Sequence, residues 1–285
     1  MEAKLRKMTV EEIHIELFNT LLHIDDICRK HHIEYFLGFG TLLGCVRDGG
    51  FLPWDDDIDI VMKRDEFERF NKILPEAIDN EKFFYINGSS RKNYPCWSYI
   101  TRIGPKGTFR KMDYFLDDEC FQSGIFIDVF VLDYAPENIF LYRIQTLMLA
   151  IIDSIISFKT CKTEYVKEWI VIGKYIYQLL GDRISVYWLN KLREKVQTGF
   201  KRTSKKICVP FGDIGRYPLI KVYWDLKDFD DIEYMEFIVY GKDAQIYKHR
   251  FPIPIGYKHI LEITYKAWET HPLLKQSKGL SYWIE

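Results

Sequence analysis

The chain has 285 residues, 47% of them apolar, enough to fill the core of one large domain or two smaller ones. Forty basic residues against forty-one acidic leave a net charge of −1, so no global field draws in nucleic acid or an anionic membrane, and any charge-based function must be local. Six cysteines, Cys28, Cys45, Cys96, Cys120, Cys161 and Cys208, form no Cys-x-x-Cys pair and sit mostly among apolar neighbours, as core thiols of a reducing cytoplasm do.

The N-terminus MEAKLRKMTVEEI lacks the apolar run and small-residue cleavage site of a secretory signal, so a cytoplasmic location is expected. Thr9 followed by Glu12 is a capping box, and Ile13, Leu17, Leu21, Ile24 and Ile27 mark one face of a helix reaching about His31. IEYFL is a short strand broken by GFG, and TLLGCVRDG is a second, short helix ending at Gly49 and Gly50. The strand DIDIVM follows, then a surface helix from Arg64 to Ile73, ended before Pro75. After a Gly/Ser/Pro-punctuated region, GIFIDVFVLDYAP forms another strand.

From Glu137 to about Lys201 the pattern turns helical, through IFLYRIQTLMLAIIDSIISF and YVKEWIVIGKYIYQLLG. Arg143, Gln145 and Asp153 interrupt the first of these, which predicts a buried or interfacial helix rather than a spanning one; peripheral contact with the inner face of a membrane is the matching expectation. From ICVPFGDIGRYP onward come short aromatic strands and a last helix around YKHILEITYKAW. The organisation expected is a catalytic core over 1–136, a helical insertion over 137–205, and C-terminal strands and a helix over 206–285 that complete the same domain.

The acidic run DDDID stands at the mouth of a strand. Alternation places Asp55, Asp57 and Asp59 on one side while Ile58, Ile60 and Met62 face the core. Carboxylates packed this way raise one another's pKa unless a cation lies between them, and oxygen donors favour magnesium, manganese or calcium over zinc. The competing reading is a solvated turn whose charges keep an edge strand soluble. Asp128 tips the balance towards a metal: flanked by Phe126, Ile127, Val129 and Phe130, it needs a cation or hydrogen-bond donors, backbone amides being the structural alternative. Asp133, beside the turn YAP, reads as structural.

Gly38 and Gly40 allow a tight turn between strand and helix, and the amides at the helix start, with Thr41 as cap, are a cradle for a phosphate. The stretch is neither a dinucleotide fingerprint, since Leu43 stands where the last glycine is needed, nor a P-loop. Arg47, one turn past Leu43, is a candidate cation for a substrate phosphate. Among the tryptophans, Trp169 and Trp188 are expected in the core, and Trp54 and Trp97 are the candidate site walls. His31, His32 and His249 read as surface or helix-end residues, and no nucleophilic triad is visible.

GFGTLLGCVRDGGFLPWDDDIDIVMKRDEFERF closely resembles the signature of the LicD family of phosphotransferases, related to the fukutin group and placed in the nucleotidyltransferase superfamily. The likeness extends through TRIGPKGTF, GIFIDVFVLDYAP and EFIVYGKDAQIYKHRFPIPIGYKHILEITYKAW. It implies an α+β fold, a nucleotidyltransferase-like core with a small mixed sheet flanked by helices, a helical insertion and a C-terminal extension. It assigns the glycine-led helix to Gly38, Gly40 and Thr41, the Asp-x-Asp pair to Asp57 and Asp59, and the third acid to Asp128. One departure is Lys266 after Tyr265, where the family often has Tyr-Gly.

The activity implied is transfer of a phospho-group, typically phosphocholine from CDP-choline, to a hydroxyl of a surface glycan or its lipid-linked precursor, with CMP as leaving group. Asp57 and Asp59 would hold Mg2+ or Mn2+, with Asp128 as third ligand or general base. Trp54 would face the quaternary ammonium. Other CDP-alditol donors, nucleotidylyl transfer from NTP on the same Asp-x-Asp, and non-catalytic calcium-dependent glycan binding are the alternatives; the last lacks EF-hand spacing.

Overall fold

The computed structural model describes residues 6–87, 100–110, 124–160, 175, 177–179, 183–200, 204–210, 222–270 and 282–284. Trp97, Trp169, Cys96, Cys120, Cys161 and nearly all of the expected helix YVKEWIVIGKYIYQLLG lie outside them. The expected α+β architecture is present: a mixed sheet flanked by helices.

Helix α1 (Val10–Lys30) starts where the capping box places it, with Thr9 accepting from the Glu12 N–H and Glu12 accepting from the Thr9 N–H. Leu17, Leu21 and Ile24 are fully buried, so its apolar stripe is the face laid on the sheet. The main sheet runs β2 (Phe36–Leu37), β3 (Ile58–Lys63), β7 (Ile127–Ala135), β5 (Ile100–Pro105), β4 (Phe83–Ile86). Strands β3 and β7 are parallel, and every other neighbour along this path is antiparallel. Such a parallel pair needs a crossover, and α3 (Arg64–Ala77) begins it. The sheet continues through the far end of β7 into β8 (Lys206–Cys208) and β9 (Tyr223–Asp225).

Three boundaries differ from the sequence reading. Strand β2 is only Phe36–Leu37, because β3 offers it just Val61 and Ile60 as partners. Strand β3 begins at Ile58, leaving Asp55 and Asp57 ahead of it. Helix α3 does not stop before Pro75 but carries it near its end and runs on to Ala77, giving up the one backbone bond that the missing N–H would have made.

Helix α2 (Phe39–Asp48) ends on Gly49, whose φ of +74° is a left-handed cap. The Gly49 carbonyl then accepts from the Ile238 N–H at 2.8 Å, docking α2 on the hairpin of β10 (Ile232–Tyr240) and β11 (Ile246–Pro254). That hairpin packs on α1: Phe18 meets Phe237 and Phe251, and buried Asp25 receives Arg29, the Tyr35 hydroxyl and His249 at 2.6, 2.8 and 2.9 Å. His249 is therefore a tertiary tie, not a surface residue of no consequence.

A separate small sheet joins β1 (Arg6–Lys7), β12 (Tyr282–Ile284) and β6 (Thr108–Arg110). Beyond β7 the chain forms α4 (Ile139–Thr160), which packs on α5 (Val186–Gln197). Trp188 on α5 is 66% exposed, not the core residue its helical setting suggested. Helix α6 (Tyr257–Tyr265) closes the described fold beside α2. Cys28, Cys45 and Cys208 are buried free thiols.

Candidate functional site

The site is assembled at one register of the sheet. Asp59 of β3 stands opposite Asp128 of β7, and Asp128 stands opposite Arg102 of β5, so three adjacent strands line up carboxylate, carboxylate and guanidinium. Arg102 Nε donates to Asp128 Oδ1 at 2.8 Å, while its Nη2 reaches Oδ2 only at 3.5 Å. The guanidinium also lies over the Phe126 ring, 4.3 Å from its centroid. Asp128 thus finds the donor its buried strand demanded, in Arg102, and keeps one oxygen loosely held.

The turn ahead of α2 is clipped to the same register. The Gly38 N–H donates to the Asp59 carbonyl at 2.9 Å, and the Asp59 N–H donates to Thr41 Oγ1 at 2.9 Å. This corrects two expectations. Thr41 is not the N-cap of α2, since the helix begins at Phe39 with Gly38 as cap; buried Thr41 instead holds the backbone of Asp59. Nor do the two glycines supply positive φ: that conformation falls on Phe39, at +44°, whose ring is anchored against Phe130 and Trp224.

What the glycines supply is space. A Cβ on Gly40 would lie 2.7 Å from Asp55 Oδ2, and one on Gly38 would lie 2.9 Å from Val61 Cγ1. The first turn of α2 therefore meets a carboxylate at close range, a placement its macrodipole favours. Asp55 is itself held from behind, its carbonyl accepting from His14 Nε2 at 2.8 Å, with the His14 ring stacked on Phe51. Since a carbonyl only accepts, Nε2 carries the proton, and burial pushes the His14 pKa down, favouring the neutral ring.

The electrostatics follow from this crowding of carboxylates. Burial, then the Asp57 charge and a hydrogen bond shared with Asp57, push Asp55 up to about 8. Asp59 is raised well above the usual carboxylate range, first by burial and then by Asp57, Asp128 and Asp55, with Arg102 offsetting part of it. Among the described residues, four carboxylates thus feel one another, beside the Arg102 guanidinium. Oxygen donors of this kind suit a hard divalent cation, and Asp57, Asp59 and Asp128 are the side chains that could hold one.

Arg47 and Trp54 form a contact of their own. Asp48 grips the Arg47 guanidinium with bonds of 2.8 and 2.9 Å, and that guanidinium lies 6.0 Å from the Trp54 ring centroid. Asp133 is buried and bidentate to Arg64, at 2.8 and 2.6 Å, in the structural role expected of it. Arg102 and His14 were missed in the sequence. For Arg102 a signal existed, a lone charge in the apolar strand ITRIGP, the same signal that singled out Asp128. For His14, one polar position of an amphipathic helix, there was none.

Comparison with known proteins agrees with the motif. Residues 32–130 match the family LicD/FKTN/FKRP, nucleotidyltransferase domain, a span that contains every candidate site residue named so far except His14. The chain is 26% identical over 247 residues to the lipopolysaccharide cholinephosphotransferase LicD of Haemophilus influenzae, covering 82% of this chain and 84% of that protein. An uncharacterized protein of Rickettsia typhi is 32% identical over 94 residues, 30% of each chain.

Proposed function

We propose that this chain, whose residues 32–130 match the LicD/FKTN/FKRP nucleotidyltransferase-domain family, is a metal-dependent phosphotransferase that moves phosphocholine from CDP-choline to a hydroxyl of a cell-surface glycan or its lipid-linked precursor, releasing CMP. The observation that carries this is the shared register of Asp59 and Asp128 on parallel strands, with Asp57 and Asp55 at their mouth. The relative named as a cholinephosphotransferase, matched over most of both chains, supports the phosphocholine part.

Asp57, Asp59 and Asp128 would hold the ion. Magnesium or manganese bound there would neutralise charge on the diphosphate of the donor and on the departing CMP. Thr41 and the Gly38 amide fix Asp59 by both of its backbone groups, so the carboxylate is placed before substrate arrives. Arg102 fixes the orientation of Asp128, which serves as third ligand or takes the proton of the acceptor hydroxyl. Phe39, Gly40 and Thr41 precede the first amide bonded within α2, that of Leu42, and their N–H groups are the donors for a donor phosphate.

A second reading keeps one observation in its favour. The Trp54 ring already has the Arg47 guanidinium near it, so a choline cation would have to share that face, whereas a polyol would not. CMP release from CDP-choline, CDP-glycerol and CDP-ribitol, each with and without EDTA and with an acceptor glycan present, separates the two. Metal-dependent release from CDP-choline alone is the expected result; preference for an alditol donor would replace the head group, and release from none would overturn the reaction class.

A further inference from the structure

We infer that the outer faces of α4 and α5 dock on an anionic lipid surface, with the chain lying on the bilayer rather than crossing it. Both helices turn part of their apolar surface outward. A helix on a soluble protein turns its apolar stripe to the core, yet the first half of α4 turns Phe140, Ile144, Leu147 and Met148, spaced along one stripe, to solvent, Phe140 being 68% exposed. Its opposite side buries polar groups: Gln145 donates to the Val196 and Gln197 carbonyls at 3.1 and 3.2 Å, and Thr146 is covered.

Helix α5 repeats the pattern. Asn190, Arg193 and Gln197 are fully buried, and Arg193 donates to Asp153 of α4 at 2.5 and 3.1 Å and to the Pro210 carbonyl. Trp188 and Leu192 face outward instead. Beside the apolar contact of Ile152, Ile155 and Ile156 with Leu189, the helices meet through these polar groups and keep other apolar residues outside, a distribution suited to a hydrocarbon boundary.

The composition of these outer faces selects the occupant. Exposed Arg143 borders the α4 stripe, and on α5 exposed Lys195 stands beside Trp188, with Lys191 ion-paired to Glu194 at 2.9 Å; an aromatic and lysine pairing suits the headgroup level of an anionic leaflet. A second copy of the chain would bring these like charges together. Although α4 is long and apolar enough to span a membrane, at mean hydropathy 1.7, its second half buries Ile152, Ile155 and Ile156 against Leu189 and pairs Asp153 with Arg193. It therefore lies flat. The surface is separate from the acidic site and does not rest on the reaction proposed for it.

Flotation of the full chain with phosphatidylcholine vesicles, with and without phosphatidylglycerol, tests this. Binding to the anionic vesicles, weakened by salt, is expected; Phe140→Ser with Leu147→Ser should lower partitioning roughly tenfold or more, and Trp188→Ala should lower it less, with circular dichroism and melting unchanged because these side chains are exposed. Asp57→Asn should bind vesicles as the native chain does, whatever its activity. Absence of binding to either vesicle, equal binding by the double variant, or a dimer in sedimentation that the double variant abolishes without any vesicle binding would each overturn the inference.

Discussion

Asp57 and Asp59 are two residues apart but differ in setting, and their removal separates two effects. Asp57 is exposed ahead of β3, whereas Asp59 is inside the sheet with its pKa raised first by burial and then by its acidic neighbours. Either Asp→Asn change should cut CMP release by about 10² to 10³ or more, since charge on the reacting phosphates would lose its stabilisation. Asp59→Asn should also raise the melting temperature of the metal-free protein, because a neutral amide removes both repulsion and charge burial; a variant that is active, or that melts lower, contradicts the site. A third residue tests the backbone instead. Lys266 caps α6 at φ +51°, ψ −132°, a conformation costly for any residue with a Cβ. The resembled family often has glycine there, and the torsions give the reason. Lys266→Gly should stabilise by ~1 kcal/mol, about 2 °C in a thermal melt, and an unchanged or lower melt would show that the strain is absent.

Elements matter to the site through the clip between α2 and β3. Thr41→Val keeps the shape but leaves the Asp59 N–H without its acceptor, a loss of about 1–3 kcal/mol, and lets Asp59 drift, so kcat should fall with stability. Thr41→Ser, which keeps the hydroxyl, should restore both; equal behaviour of the two variants would make Thr41 a packing residue only. That clip explains what was legible in the sequence and what was not. Thr9 and Glu12 announced α1 because a capping box is local, and the apolar strand holding Asp59 was legible for the same reason, although it begins at Ile58 and alternation does not place Asp55 and Asp57. The role of Thr41 was misassigned as a cap because its partner is 18 positions away in sequence, brought close only by the turn at Gly49 and the return of the chain to β3. Arg102 needed the pairing of β5 with β7, and His14 needed α1 to cross behind Asp55, neither of which a residue pattern records. Trp188 went wrong for another reason: an aromatic on an amphipathic helix was assigned to the core, while α5 buries its polar side.

Across the whole molecule, two sets of carboxylates give stability opposite slopes with pH. Glu12 joins Arg6, Lys242 and the Thr9 amide, tying the first strand to α1 and to the turn between β10 and β11, and these bonds, that from Arg6 foremost, hold its pKa down at about 2 instead of 4.5. Its contribution is complete above the ordinary glutamate range and is lost as pH falls towards 2. Asp55 runs the other way: its proton leaves the unfolded chain near 3.8 but the folded chain only near 8, so the folded state binds more protons between those values and loses stability as pH rises through them. Asp59 adds to the same slope, since its pKa is raised as well. The metal-free protein should therefore melt highest at about pH 5 and progressively lower towards pH 8, with Asp55→Asn flattening the decline. Magnesium should raise the melt more at pH 8 than at pH 5, because a cation binds the ionised carboxylates and must displace protons at the lower pH. A metal-free melting temperature that is level or rising from pH 5 to pH 8, or a magnesium effect independent of pH, would mean that the four carboxylates are not coupled as their placement requires.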